Sequence, residues 1–494
     1  MSPRSYADEM RAVRGKLAND PHRPQYHFLP PANWMNDPNG LIQWQGQYHL
    51  FYQHNPNGPF WGRMHWGHAV SEELVHWTDL PVALAPTPGG PDQDGCFSGC
   101  AVDNNGIPTL VYTGVHPQRQ CIATSRDDLL TWEKYIGNPV IAAPPEDLDA
   151  TGFRDPCVWW EGDAWYTLIG SGIQDVGGAA LLYKSPDLIH WEYIKPILIR
   201  DKNEADPLQT GTMWECPDFF SLGDKHVLVV SAHEGKPLYA VYLVGLYADH
   251  RFTPAIVRKL DFGNTHFYAP QTLLDDKGRR IMWGWIREAR SDEAQRAAGW
   301  SGVMSLPRIL SMRPDGLLGI EPAAELAVLR GEHHHLTDVD LTPRSPRILG
   351  NVQGDCLEIV TEFQPRRASD TSAAHEFGIK VRCSPDGTEQ TRIVYDRLAR
   401  RLAVDRDRSS LSSDVQRGTQ AGTLELPAGE SLKLHIFLDR SVVEVYANGR
   451  ACVTSRVYPS RSDSLGVDLF ALGGTIRLKS IDVWQMGSIW SSRS

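Results

Sequence analysis

The sequence predicts an all-β fold in which a five-bladed β-propeller is followed by a C-terminal β-sandwich. Between about residues 40 and 310, short β-type runs alternate with Gly, Pro, Asn and Asp, and almost no stretch keeps a helical period. A Ser…Leu…Trp pattern recurs there, with Trp77, Trp132 and Trp191 spaced 55 and 59 residues apart. Units of this period are typical of propeller blades, and about 270 residues would hold roughly five of them. After about residue 346 the strand patterns alternate in polarity, which favours a sandwich.

Residues 1–21 predict a helical N-terminal extension. They carry mixed charge and lack the apolar segment and small-residue cleavage site of a signal peptide. The longest apolar runs, such as residues 239–248, are about half as long as a membrane span. We therefore expect a cytoplasmic protein that does not use a membrane.

The predicted propeller covers residues 22–320. Its clearest strands are Tyr48–Gln53, Thr109–Tyr112, Trp165–Gly170, His226–Ala232 and Arg280–Trp285. The repeat consists of a strand that ends in Ser, a turn that contains Leu, and then Trp. It occurs as Ser71…Leu74…Trp77, Ser125…Leu129…Trp132 and Ser185…Leu188…Trp191.

Residues 321–345 are interpreted as a linker, of which 321–336 would be a short helix or linker, and residues 346–494 as the β-sandwich. The sandwich strands include Leu357–Phe363, Phe377–Cys383 and Arg392–Tyr395. Its clearest hairpin joins Val442–Ala447 to Ala451–Val457, because Asn448-Gly449 supplies the positive-φ positions of a type I′ turn. This half is poor in isolated carboxylate motifs, so we assign it packing and, in a homo-oligomer, the subunit contact.

Composition narrows the class of ligand. The chain has 60 acidic and 49 basic residues, a net charge of −11, and no Lys/Arg-rich block, which argues against nucleic acid as the main partner. Its 16 Trp residues fit either a large β core or the binding of sugars, whose C–H faces stack on indole rings. A small neutral sugar is the partner that fits both features.

Neither the cysteines nor the histidine tract predicts a metal. The eight cysteines are scattered without CxxC pairs, so we expect free thiols. The tract His333-His334-His335 has no Cys or carboxylate partner at ligand spacing in the sequence, which favours a solvated segment.

Three carboxylates lie in turn-forming motifs that begin short β segments. Asp37 lies within Asn36-Asp37-Pro38, Asp155 follows Arg154, and Glu215 lies between Trp214 and Cys216. In a propeller they would come from different blades and converge, as glycoside hydrolysis by two carboxylates requires. We expect Asn amides to keep Asp37 ionised as a nucleophile, and burial to raise the pKa of Glu215 as the acid.

The order of these motifs resembles glycoside hydrolase family 32, the β-fructofuranosidase family of invertases, inulinases and levanases. The resemblance is carried by WMNDPNG at 34–40, FYQHNP at 51–56, FSGC at 97–100, FRDP at 153–156 and WECPD at 214–218, with a C-terminal signature around 437–456. It covers about residues 22–485. One departure is His266, where the family pattern has Asp, and this position is expected near the leaving-group side.

The resemblance implies a retaining enzyme that needs no metal or organic cofactor. By motif, Asp37 matches the nucleophile, Glu215 the acid/base catalyst and Asp155 the transition-state stabiliser. The positions that match the fructose-binding subsite are Asn36, Gln53, Trp61, Phe97, Ser98 and Arg154. Trp34 and one residue of Trp283-Gly284-Trp285 would lie at the pocket, and we assign Trp285.

The predicted function is hydrolysis of terminal β-D-fructofuranosyl residues from sucrose or short fructooligosaccharides. Sucrose-6-phosphate hydrolysis, fructosyl transfer and exo-fructanase action on the same site remain alternatives. A phosphorylated leaving group would need a cation such as Arg287, Arg290 or Arg296. A catalytically silent fructan-binding protein is the alternative from another class.

Overall fold

The computed structural model describes residues 3–204, 208–364 and 372–490, and shows a fold built mostly from antiparallel β-strands. Parts of the predicted ranges 1–21, 22–320 and 346–494 lie outside these residues. Helix α1 (Pro3–Lys16) lies within the predicted N-terminal extension, and α2 is Asp292–Ala298. Two short 3₁₀ helices are Asn264–His266 and Ala324–Leu329.

The first two thirds of the chain form five successive antiparallel sheets. The first sheet contains β1 (Asn33–Trp44), β2 (Gln47–Asn55), β3 (His65–Ser71) and β4 (Thr78–Leu84). The second contains β5 (Gly95–Asp103), β6 (Pro108–Val115), β7 (Arg119–Thr124) and β8 (Glu133–Lys134). The third contains β9 (Ala150–Glu161), β10 (Ala164–Ile173), β11 (Gly177–Ser185) and β12 (Glu192–Ile199). The fourth contains β13 (Met213–Leu222), β14 (Lys225–His233), β15 (Pro237–Ala248) and β16 (Arg251–Lys259).

The fifth sheet is built from β17 (Phe267–Leu274), β18 (Arg280–Ile286), β20 (Val303–Met304), β21 (Arg308–Met312) and β22 (Leu318–Pro322). The intervening β19 (Trp300–Ser301) does not join it. Instead β19 pairs in parallel with β1, Asn33 opposite Trp300, so the last part of this region hydrogen-bonds to the first sheet.

The first strands of the five sheets adjoin in a closed cycle. Contacts run from β1 to β5, β5 to β9, β9 to β13, β13 to β17, and from β17 back to β1. The five strands expected from the sequence are confirmed as the second strand of each sheet, β2, β6, β10, β14 and β18. Residues at the start of each sheet are therefore brought toward one another, although they are far apart in sequence.

The Ser…Leu…Trp repeat forms the turn between the third and fourth strands of the first three sheets. Leu74, Leu129 and Leu188 are buried at positive φ, between +64° and +74°. In each turn the Ser hydroxyl accepts a hydrogen bond from a following backbone N–H, at 3.0–3.2 Å. The repeat is a local turn, which explains why it recurs at the spacing of one sheet.

The C-terminal third forms two sheets that face each other across one apolar core. One sheet has the order β23-β33-β24-β29-β30-β31, and the other has the order β28-β27-β26-β25-β32. Their strands are β23 (Arg330–Leu341), β24 (Cys356–Gln364), β25 (Glu376–Cys383), β26 (Thr391–Asp396), β27 (Arg401–Asp405), β28 (Thr419–Thr423), β29 (Leu432–Asp439), β30 (Val442–Ala447), β31 (Ala451–Arg456), β32 (Gly466–Leu472) and β33 (Ile476–Met486). Asn448 and Gly449 both have positive φ, +50° and +61°, as the hairpin prediction required.

The structure corrects the predicted linker at residues 321–345. Its middle part is β23, the edge strand of the first C-terminal sheet, paired with β33 over most of its length. The sequence analysis missed this strand because most positions of β23 are exposed, so apolar and polar residues do not alternate along it as they do in a half-buried strand.

A buried cluster of charged side chains lies where the five N-terminal sheets contact the two C-terminal sheets. His27 lies between Asp439 and Glu444, with Nδ1 2.9 Å from the first and Nε2 3.1 Å from the second. Arg308 pairs with Glu444 at 2.6 Å and with Asp261 at 2.9 Å. Since these side chains are essentially inaccessible to solvent, each charge depends on its partners.

All eight cysteines are free thiols, as expected. Among the described residues, no helix combines the length and the apolar character needed to cross a membrane.

Candidate active site

Each of the five first strands contains a break in ladder register at corresponding positions. Pro156, Pro217 and Pro270 lie within these breaks, and Pro38 and Gly99 directly follow theirs. Proline lacks an N–H for the ladder and is accommodated at bulges, and a bulge changes the direction in which neighbouring side chains point. The repeated Pro or Gly is therefore the local reason why these strands turn side chains toward the shared centre.

The residues immediately before Pro38, Gly99, Pro156 and Pro217 meet at that centre. Ser98 Oγ donates to Asp37 Oδ2 at 2.6 Å. The Cys216 thiol lies 3.6 Å from Asp37 Oδ2 and 3.5 Å from Asp155 Oδ2, and the Cys216 N–H donates to Asp155 Oδ2 at 3.0 Å. The structure thus brings Asp37, Asp155 and the residue next to Glu215 together from three sheets.

The residues one position earlier form a second layer of contacts. Arg154 donates twice to Glu215 Oε1, from Nη2 at 2.8 Å and from Nε at 3.2 Å. Tyr268 Oη donates to Glu215 Oε2 at 2.6 Å. Arg154 Nε also lies 4.0 Å from Asp155 Oδ2. Glu215 therefore has a donor on each of its carboxylate oxygens.

The three carboxyl groups differ in proton affinity. Burial raises the pKa of Asp37 to about 6, although Ser98 and Asn36 oppose the shift by donating hydrogen bonds to the ionised form. Burial also raises the pKa of Asp155 to about 7, against the nearby charge of Arg154 and with help from the two other carboxylates.

Glu215 differs from the prediction. Burial alone would raise its pKa, but the Arg154 charge and the hydrogen bonds from Tyr268 and Arg154 outweigh burial and lower it. The sequence could not show this because the pairing partner of Arg154 depends on how two sheets meet. In the free protein, Asp37 and Asp155 therefore hold a proton to higher pH than Glu215 does.

Aromatic rings line one side of the site. Phe97, Trp61, Trp34 and Trp285 form a chain of edge-to-face contacts, with ring centroids 5.5, 6.2 and 5.8 Å apart. Trp61 is 53% exposed, so its ring is available to a ligand. Trp283 lies instead in the core against Trp77, and of the two candidates only Trp285 contacts Trp34.

Two other predicted site residues are buried. Asn36 accepts a hydrogen bond from Trp34 Nε1 at 2.7 Å and donates to Asp37 Oδ1 at 3.0 Å. Gln53 donates to the carbonyl of Cys96 at 2.9 Å. Asn36 thus orients the carboxylate, whereas Gln53 supports the strand segment that leads to Phe97.

Tyr268 and Cys216 are site residues that the sequence analysis did not single out. A signal was present, since Tyr268-Ala269-Pro270 repeats the pattern of Arg154-Asp155-Pro156 and Glu215-Cys216-Pro217. Comparing the residues that precede each proline would have identified both.

His266 is buried where the fifth sheet meets the C-terminal sheets. Its ring is buried, and its Nδ1 accepts a hydrogen bond from the backbone of Arg456 in β31 at 3.3 Å. The residue that departs from the family pattern therefore contacts the C-terminal sheets.

The three arginines considered as phosphate ligands, Arg287, Arg290 and Arg296, differ in their side-chain partners. Arg290 is committed to Glu288 at 2.8 Å and to the carbonyl of Trp300. The exposed Arg296 stacks over Phe60. Arg287 lies over the ring of Trp285, 5.2 Å from its centroid, and among the described residues no side chain forms a hydrogen bond or ion pair with its guanidinium.

A site that combines several carboxyl groups with a partly exposed aromatic wall, on sheets of this kind, is that of a glycoside hydrolase. The family model for the glycosyl hydrolases family 32 N-terminal domain matches residues 27–322, and the model for the family 32 C terminal matches residues 325–485. The chain belongs to glycoside hydrolase family 32.

Comparison with individual proteins supports this family assignment. The chain is 37% identical to a sucrose-6-phosphate hydrolase and 36% identical to a raffinose invertase, both of Escherichia coli, covering 94% of this chain and 95% of each relative. Its structure resembles that of a fructan 1-exohydrolase IIa variant from Cichorium intybus in complex with 1-kestose, with a TM-score of 0.85 and 29% identity over 95% of this chain and 98% of that one.

Proposed function

We propose that this glycoside hydrolase releases terminal β-D-fructofuranosyl residues from sucrose or short fructooligosaccharides with retention of configuration. In this proposal the five cyclically arranged sheets are the blades of a propeller, and the site lies at its centre. The observation that carries the proposal is the meeting of Asp37, Asp155 and Glu215 around Cys216 and Arg154.

The proposed reaction is a double displacement. Asp37 attacks the anomeric carbon of the fructosyl unit, while Glu215 donates a proton to the departing oxygen. Glu215 then takes a proton from the water that releases fructose from Asp37. Asp155, with Oδ2 fixed by the Cys216 N–H, would accept hydrogen bonds from sugar hydroxyls as positive charge develops. A retaining enzyme requires the Asp37 and Glu215 carboxyl groups to be about 5 to 5.5 Å apart.

The active protonation state is a minor one in the free enzyme. The reaction needs Asp37 ionised and Glu215 protonated, yet the pKa of Asp37 is about 6 and that of Glu215 is lowered. We propose that the sugar weakens the contact between Arg154 and Glu215 when it binds, which moves the proton toward Glu215. Because the carboxyl groups of Asp37, Asp155 and Glu215 interact, the pH dependence of activity should report the loss of protons from all three together.

The remaining assignments follow from position. Trp61, Phe97, Trp34 and Trp285 would pack against sugar ring faces, since they form the aromatic wall. Ser98 and Asn36 would orient Asp37 through their hydrogen bonds to its carboxylate. Arg154 would bind a fructosyl hydroxyl. Gln53 would hold the strand segment that carries Phe97, through its hydrogen bond to the Cys96 carbonyl.

The test uses two substitutions and one stereochemical readout. Asp37→Asn and Glu215→Ala should each lower kcat by orders of magnitude. Azide should partly restore activity only in Glu215→Ala, because this anion attacks the fructosyl-Asp37 intermediate directly, without a base, and releases the Asp37 carboxylate as fructosyl azide forms. With methanol as acceptor, NMR should show methyl β-fructofuranoside as the first product. A first product of α configuration would exclude the retaining mechanism, and no fructose release from any substrate would favour a binding protein.

Sucrose 6-phosphate is a second candidate substrate, favoured by Arg287. Burial lowers the pKa of this guanidinium, against the opposing effects of Tyr268, Glu215 and Asp37, so it lies within electrostatic reach of the carboxylates. Arg287 lies beside the aromatic wall and makes no side-chain hydrogen bond or ion pair within the described part of the chain, so it is suited to a phosphate on the leaving group. Relatives of similar identity carry different names, so this choice depends on the residues of this chain.

A substrate panel decides the leaving group. Sucrose, sucrose 6-phosphate, kestose, inulin and levan are compared at matched concentration, and fructose and longer oligomers are measured as products. Arg287→Gln should raise KM for sucrose 6-phosphate selectively if Arg287 binds the phosphate. An equal effect on sucrose and sucrose 6-phosphate would remove that role, and formation of longer oligomers would indicate fructosyl transfer.

A further inference from the structure

The edge strand β23 carries a histidine pair that faces a carboxylate on the neighbouring strand. His333 and His335 are two residues apart on one strand, so their side chains lie on the same face. In the antiparallel pairing, His335 lies opposite Asp482 and His333 lies opposite Trp484. The carboxylate that the sequence lacked nearby is thus supplied by a residue almost 150 positions later.

The three side chains already converge. His333 Nε2 and His335 Nδ1 lie 2.8 and 2.7 Å from the same oxygen, Asp482 Oδ1. Within the described residues, this is the one group of at least three His, Cys, Asp or Glu side chains whose ligating atoms all lie within 4.8 Å of one another. In a tetrahedral site with bonds of about 2.1 Å, ligand atoms are about 3.4 Å apart, so small side-chain rotations would make room for a metal ion.

The surroundings hold one ligand in place and leave the site open. The ring of His333 stacks on Trp484, with centroids 4.7 Å apart and planes 5° from parallel. The side chains of His333 and His335 are 42% and 49% exposed, and Asp482 is 24% exposed. A metal can therefore enter from solvent and retain water in its remaining coordination positions.

We propose that His333, His335 and Asp482 form a binding site for a borderline divalent transition metal such as Zn²⁺. Two imidazoles and one carboxylate are a donor set suited to Zn²⁺, Ni²⁺ or Cu²⁺, and less suited to Ca²⁺ or Mg²⁺, which prefer oxygen ligands. The metal would link the edge strand β23 to its neighbour β33 in the same C-terminal sheet. The site is separate from the carboxylates proposed for catalysis and does not depend on the proposed reaction.

The test is calorimetric titration of the full chain with ZnCl₂ after removal of metal with a chelator. We expect one site in the parent protein. His335→Ala or Asp482→Asn removes a ligand and should weaken binding by at least about 10-fold to 100-fold, the loss that even a hydrogen-bond partner of a ligand causes. The matched control is His334→Ala, because this neighbour points to the opposite face of the same strand and should leave the affinity unchanged.

Two further measurements keep the proposal falsifiable. Zn²⁺ should raise the Tm of the parent and of His334→Ala, but not that of His335→Ala, because a ligand that binds only the folded state stabilises it. Circular dichroism of the metal-free variants checks that they fold. Absence of binding at millimolar Zn²⁺, or equal affinity in all variants, would overturn the proposal.

Discussion

Arg154 Nη2 donates to Glu215 Oε1 at 2.8 Å, and the Arg154 charge lowers the pKa of this buried carboxyl group. Burial would otherwise raise the pKa of Glu215, as it does for Asp37 and Asp155. The protein thus keeps its proposed acid ionised while two neighbouring carboxyl groups hold protons more tightly.

Removing the Arg154 charge should shift the acidic limb of the kcat/KM profile to higher pH. In Arg154→Gln burial is no longer opposed by that charge, so the pKa of Glu215 rises and the doubly protonated, inactive state persists to higher pH. The maximal rate should also fall, because Arg154 is proposed to bind the sugar. Arg400→Gln, at an exposed arginine in the C-terminal sheets, is the matched control and should leave the profile unchanged. An unshifted acidic limb in Arg154→Gln would contradict the assigned role.

Ser98→Ala should move the basic limb upward. In the parent, kcat/KM should fall as pH rises through about 6 to 7, because the carboxyl cluster loses its last protons there. Without the 2.6 Å hydrogen bond from Ser98, the ionised form of Asp37 is less stable. A hydrogen bond to a charged group contributes about 1.5–3 kcal/mol, so the limb should move by about one pH unit or more.

The height of the same profile provides a second check on Ser98→Ala. Because the proton would remain on Asp37 more often, the plateau of kcat/KM should fall while the limb moves up. Asn36→Ala should act in the same direction, since Asn36 donates to the other carboxylate oxygen. A downward shift of the limb in either variant would refute the proposed protonation state.

Gly99→Ala should disrupt the bulge that presents Ser98. A Cβ at this position would lie 2.0 Å from the carbonyl oxygen of Val111 and 2.7 Å from the Cα of Tyr112, both backbone atoms that cannot move aside. We expect a loss of at least about 1–3 kcal/mol in the free energy of unfolding, and lower activity. The control is Gly350→Ala, whose nearest neighbour would be at 3.8 Å. Parent-like urea denaturation of Gly99→Ala would show that the bulge tolerates a side chain.

Arg308→Met should destabilise the contact between the two regions of the chain. It leaves Asp261 and Glu444 buried without their cation, a loss that typically costs about 3–5 kcal/mol. Arg313→Met removes an ion pair with Asp315 at the surface and should cost under about 1 kcal/mol. Urea denaturation measures both, and equal midpoints would mean that the buried cluster does not stabilise the fold.

Much of this architecture could be predicted because local chemistry repeats. The buried Leu turns and the Asn448-Gly449 hairpin each depend on a few adjacent residues, so a linear pattern reveals them. Asp37 and Asp155 were identifiable because each directly precedes a proline, and Glu215 because it lies two residues before Pro217 in the corresponding part of its strand. The edge strand β23 was missed because its exposure removes the alternation that such a reading requires.

The sequence by itself determined the β class of this protein, the second strand of each of the first five sheets and the three carboxylates proposed for its site. Tertiary structure alone decided which of these residues meet. It paired Arg154 with Glu215, placed Trp285 and not Trp283 beside Trp34, directed His266 toward β31, and set Asp482 against His333 and His335. The physical reason is that turns and strand patterns depend on neighbours in the chain, whereas proton affinity and ligand geometry depend on distances of a few ångströms between residues from different sheets or strands.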